Sequence, residues 1–242
     1  MTTPVAEVVA RLRAVEASAG ASDGVVCFAR LYREVTESVS QELAADTFAE
    51  APFLERLDVA FAELFFATVD ASAGRTTRVP SAWAPLFEAR AKRGIAPLQF
   101  AIAGMNAHMN RDLPVALVAT FEQRGVELRR DSPEHADFER VNDVLERVEE
   151  RVKSSYLTGW IARLDHILHR VHRLDDVVAM WNVRAAREAA WTNAETLWAL
   201  RRDAGLSAEF VRTLDRTVGL AGRGLLVPAD TWLRRLARKL GT

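Results

Sequence analysis

Apolar residues recur at spacings of three and four along nearly the whole chain, and no stretch of useful length alternates apolar with polar residues. That regularity confines the chain to helices packed on helices. The segment GVVCFARLYREVTESVSQEL puts Phe28, Leu31, Tyr32, Val35 and Val39 on one stripe. PFLERLDVAFAELFFATVDA does the same with Leu54, Leu57, Phe61, Leu64 and Phe65, but is apolar over much of its circumference, as a central helix must be. Ser81 and Trp83 open a further helix that closes near Gly94. Ser132 reads as an N-cap with Pro133 at the first helical position, followed by the stripe Phe138, Val141, Leu145, Val148 and Val152. Trp160, Ile161, Leu164, Ile167, Leu168 and Val171 form the next stripe. A long tryptophan-rich helix is predicted from about Leu174 to about Arg202 with Gly205 as its stop, and a last pair after Ser207 and Pro228. The expectation is an all-α, single-domain bundle of about ten helices. It covers residues 1–242, with 1–23 a loosely packed N-terminal helix and linker and 229–240 a basic amphipathic C-terminal helix docked through Trp232, Leu233 and Leu236.

Composition narrows the function classes. A formal net charge of −1 over 242 residues supplies no basic field for nucleic acid or anionic lipid, so neither is an expected partner. The single cysteine, Cys27, rules out an internal disulfide and, lying among apolar residues, reads as a buried structural thiol. The first residues lack a basic segment followed by an apolar core, and LFFATV is far too short to span a bilayer. A soluble cytoplasmic protein is expected, and a homodimer is compatible with the sequence. GLAGRG follows no strand and lacks dinucleotide-loop spacing, so its glycines read as helix packing and a helix stop, and no nucleotide cofactor is expected.

The densest polar chemistry sits in GMNAHMNRDLP, residues 104–114. If the helix that begins near Leu98 reaches Asp112, His108 and Asp112 share a face at i and i+4, as do Asn106 and Asn110. Pro114 has no N–H to offer the Asn110 carbonyl, and its ring clashes there, so the helix is expected to kink or end. Such a break can turn His108 and Asp112 into a pocket, as acid/base groups or as ligands of a divalent metal. The alternative makes Asp112 an N-cap for the helix that follows and His108 a hydrogen-bonded core residue. Asp58 lies one turn from Leu54, Phe61 and Phe65, so its carboxylate faces apolar neighbours and needs a partner, a ligand or a proton. An arginine in a structural ion pair would satisfy it equally well.

Trp181, Arg184, Glu188, Trp191, Glu195 and Trp198 follow one another at spacings of three and four, which can build one pocket wall or merely a helix with charges at the core margin. His135 and Asn142 border the Phe138 stripe. Asp165, His169 and His172 share a face opposite an apolar stripe and beside arginines, and read as a solvated basic surface.

Several blocks together resemble the domain-of-unknown-function family 5995: FLERLDVAFAELFF, WAPLFEAR, IAPLQFAIAGMNAHMNRDLPVAL, HADFERVNDVLERVE, LDDVVAMWNVRAAREAAWTNAETLW and LDRTVGLAGRGLLVP. The resemblance implies a mostly helical domain and groups Asp58, His108, Asp112, His135, Asn142, Arg184 and Glu188 in the family's typical blocks. It implies no substrate. The sequence reading is therefore an enzyme acting on a small organic molecule in an interhelical pocket of some hundreds of Å³. Its catalytic candidates are His108, Asp112 and Asp58. Asn106, Asn110, His135, Asn142, Trp181, Arg184, Glu188 and Trp191 are expected to bind substrate. A divalent metal on His108 and Asp112 distinguishes the hydrolase version from cofactor-free isomerisation or cyclisation. The rival is a non-catalytic ligand-binding or helical interaction protein.

Overall fold

A computed structural model describes residues 3–44, 48–74, 78–161 and 182–228, with side chains except at 43–44 and 148–161. The described residues form helices and no strand. They are α1 (Pro4–Ala17), α2 (Gly24–Ala44), α3 (Ala51–Ser72), α4 (Ala84–Ala89), α5 (Pro97–Ala107), a π-helical turn (His108–Asp112), α6 (Leu113–Arg124), α7 (Pro133–Ile161), α8 (Val183–Leu200) and α9 (Ala204–Leu225). Because α5, the π turn and α6 run on without a break, the described residues hold eight continuous helices rather than about ten.

Local chemistry sets most of the ends. Thr3 Oγ1 accepts from the Ala6 N–H at 3.2 Å and Ser132 Oγ from that of His135 at 3.1 Å. Asn182 Oδ1 accepts from Ala185 N at 2.8 Å. That cap, with Asn182 itself in an extended conformation, starts α8 at Val183, so no unbroken helix runs from Leu174 to Arg202. At its other end Asp203 caps α9 through the Gly205 and Leu206 N–H groups, so Gly205 opens that helix instead of stopping the previous one. Gly125 ends α6 in the left-handed conformation at φ 66°. Trp181, His169, His172 and the C-terminal segment 229–240 lie outside the described residues.

Pro114 neither kinks nor ends its helix. The turn before it widens, so that the Leu113 N–H bonds to the His108 carbonyl five residues back. One inserted residue moves the backbone out of the path of the proline ring, and α6 carries on from Leu113. The resulting rod is buried continuously from Leu98 to Met105, where it packs on α2 and α9. It divides the interior in two. Leu98, Ile102, Met105, Met109 and Leu113 pack with Leu54, Leu57, Val141 and Trp191, whereas Phe100, Ala103 and Ala107 pack with Phe28, Phe65 and Trp83. The N-terminal helix is a full member of the bundle, since Val5, Val8 and Leu12 are buried against it.

Small residues fix how closely helices meet. A Cβ on Gly219 would lie 2.3 Å from the Ser81 carbonyl oxygen, a backbone atom that cannot swing aside, whereas nothing stands within 4 Å of a Cβ on Gly224. Gly219→Ala is therefore expected to destabilise by about 1–3 kcal/mol in urea titration. Gly224→Ala, inside the same helix, is expected to stabilise by roughly 0.5–1 kcal/mol.

Candidate active site

Asp112 is completely buried, in the π turn, and its side chain caps no helix. Its Oδ2 accepts from Trp83 Nε1 at 2.9 Å and lies 3.1 Å from His108 Nδ1, while its Oδ1 accepts from Arg111 Nη1 at 2.7 Å. Both oxygens are thus committed, and the guanidinium balances the charge that burial would otherwise make costly. Arg111 also approaches Asp215 at 3.7 Å, and Asp215 accepts the Ser81 and Ala82 N–H groups at the entry to α4. A carboxylate at Nδ1 fixes the hydrogen of a neutral imidazole on that nitrogen. Nε2 is then the lone-pair nitrogen.

His108 Nε2 is buried and has no hydrogen-bond partner among the described residues. The ring is stacked flat on Phe61, centroids 3.4 Å apart and planes 4° off parallel, with Tyr32 edge-on at 4.6 Å. This aromatic clamp holds the imidazole in one orientation. Burial pulls its pKa below the usual histidine value, against the opposing pull of Asp112, so the neutral ring is favoured.

His108 lines a partly open cavity of about 80 Å³. The volume is smaller than the some hundreds of Å³ expected, and accommodates several waters or a small ligand, since one water takes about 10–15 Å³. The walls are chiefly apolar: Leu54, Leu57 and Phe61 from α3, Met105, Met109 and Leu113 from the rod, Val141 and Leu145 from α7, Val183 from α8. Five polar side chains interrupt them, namely Tyr32, Thr36, Asp58, His108 and Arg187.

Asp58 is half-buried, because its side chain opens onto the cavity, yet no cation pairs with it among the described residues and its Oδ2 is without a partner. The structural ion pair that would explain it is not there. Burial alone pushes its carboxyl up to about 7, so protonated and ionised forms coexist near neutral pH. Burial likewise raises Tyr32 well above the usual phenol range, reinforced by the charges of Asp58 and Asp112. The Thr36 hydroxyl lies near enough to offset a little of this, although the geometry falls outside a hydrogen bond.

Arg187 is the cation of the cavity, and sequence reasoning missed it. It is only 6% exposed, lies over the Phe138 ring at 3.7 Å, and donates from Nε to Asn142 Oδ1 at 2.6 Å and from Nη2 to the Phe138 carbonyl. Burial lowers its pKa to about 9, which leaves it charged at neutral pH. Its position was legible: Arg187 stands four residues after Val183 and four before Trp191, both buried, on the inner face of α8.

The other predicted residues fall elsewhere. Arg184 lies on the surface, paired with Glu146 and Asp143 at 2.9 and 3.2 Å. Glu188 and Glu195 hold Arg130 in a solvated ion-pair cluster. Trp191 is fully buried core. Asn106 donates to the Val218 carbonyl at 3.1 Å and accepts from Asn110 at 3.1 Å, so this pair ties the rod to α9 and does not line the cavity. Asn142 serves the cavity indirectly, by holding Arg187. His135 stands against Trp191, outside the cavity. Cys27 is buried with its thiol pushed up to about 11, as suits a structural residue.

Because the carboxyl of Asp58 titrates higher in the folded state than in the unfolded chain, its contribution to stability is complete below about pH 3.8 and is lost as pH rises to about 7. Asp58→Asn is expected to remove that decline, which amounts to something on the order of 2–4 kcal/mol in the wild type. Urea unfolding of both proteins from pH 4 to pH 8 measures it, and parallel pH profiles contradict it.

Neither the curated proteins nor the solved structures contain a match to this chain. The model of a family of unknown function, DUF5995, matches residues 5–228, and the chain belongs to that family.

Proposed function

We propose that the protein is an enzyme that moves protons on a small organic molecule held in this cavity, in the manner of a hydrolase or of an isomerase or cyclase. One observation carries the reading. His108 lines the cavity and has a buried Nε2 with no partner among the described residues, while its other nitrogen is held by Asp112. A histidine serving only as an internal brace would have both nitrogens satisfied, since an orphaned buried acceptor costs about 1–3 kcal/mol.

In this reading neutral His108 accepts a proton at Nε2, and Asp112 stabilises the imidazolium that forms. Asp58, partly protonated near neutrality, supplies or receives the second proton. Arg187, whose Nη1 makes no hydrogen bond among the described residues, meets an anionic or carbonyl oxygen, and the apolar walls take the remainder of the molecule. The donor set argues against a metal at His108 and Asp112. Nδ1 and Oδ2 are bonded to each other, and among the described residues the wall offers only His108 and Asp58 as ligand-type side chains, fewer than the three protein ligands of a catalytic zinc.

The test is turnover of a panel of short-chain esters, lactones and small cyclic ketones, followed by mass spectrometry. His108→Gln and Asp58→Asn are each expected to lower turnover by about 10²–10⁴-fold, the usual contribution of a positioned acid or base. Turnover that survives both substitutions overturns the assignment. Compounds that raise the melting temperature of the wild type without being converted favour the ligand-binding rival.

A further inference from the structure

A second cluster lies outside the lining of the cavity. His135 and Glu139 stand one turn apart on α7, and Glu188 meets them from α8, with one ligand-type atom of each within 4.8 Å of the others. His135 Nε2 and Glu139 Oε1 are both buried, and neither has a hydrogen-bond partner among the described residues. Orphaned atoms on two neighbouring residues are costly and call for an explanation. Beside them Trp191, with no exposed surface, leaves its Nε1 unpartnered as well, its ring 4.4 Å from that of His135.

We propose that His135, Glu139 and Glu188 bind a divalent first-row transition metal ion. One imidazole and two carboxylates suit zinc or its neighbours, whereas magnesium and calcium favour oxygen alone. Ligands at about 2.1 Å in tetrahedral array lie roughly 3.4 Å apart, so the side chains need only close inward a little. Arg130 bonds one oxygen of Glu188 at 2.7 Å and leaves the other open. Glu139 is already oriented, since its Oε2 accepts from Asn142 Nδ2 at 3.1 Å. Asn142 in turn accepts from Arg187 Nε. The ion would therefore sit two hydrogen bonds behind the cavity's cation, in position to stiffen it. The proposal does not depend on the chemistry assigned to His108.

Calorimetric titration of the metal-free full-length protein with zinc chloride decides the matter. One zinc per chain is expected, with affinity at least about tenfold weaker in Glu188→Gln and in His135→Gln, and with no competition from magnesium. Glu188 is half-exposed, so its substitution leaves the core intact and keeps the test informative should His135→Gln fail to fold. Absence of zinc binding, equal affinity in both variants, or loss of binding only in His108→Gln each overturns the proposal.

Discussion

A carboxylate sealed from solvent must be neutralised by its neighbours, and the arrangement around Asp112 determines much of what surrounds it. Trp83, Arg111 and His108 converge on its two oxygens, the first from the N-terminal cap of α4 and the other two from the π turn itself. Each of these contacts fixes something further. The tryptophan seats α4 against the rod, the arginine reaches on toward Asp215 of α9, and the histidine is left with one nitrogen bound and one bare. Removing Asp112 would strand a buried indole N–H and take the nearer carboxylate from the half-buried Arg111, so the site and the scaffold cannot be separated cleanly.

The π turn makes this arrangement compatible with Pro114. An ordinary α-helix would have stopped there, and Asp112 would have become a surface cap. With one residue inserted, the rod continues and the His108–Asp112 pair stays inside it. The site thus occupies an interruption in helix geometry that leaves the helix unbroken.

Much of the fold was legible because burial imposes a period. The stripes through Phe28, Leu57 and Phe138 locate α2, α3 and α7, and the caps at Ser132 and Pro133 mark where α7 begins. The candidate site was legible in part for a related reason: charged or hydrogen-bonding groups on an apolar face, such as His108, Asp112 and Asp58, conflict with their setting and show in the sequence. What the pattern could not convey was direction at single-residue resolution. A shift of one position on α8 exchanges the exposed Arg184 and Glu188 for the buried Arg187, and an alternation of tryptophans with charges drew attention to the wrong stripe. Nor could it convey that a proline would be absorbed, since that depends on how the surrounding helices hold the rod.

The acid/base role assigned to the cavity rests on His108 being neutral with its hydrogen on Nδ1. Nitrogen-15 NMR of the histidine rings, with His108 assigned by comparison with His108→Gln, reads that state directly. The account predicts that near neutral pH His108 shows a protonated Nδ1 and a bare Nε2. An imidazolium, or a hydrogen resident on Nε2, would contradict it.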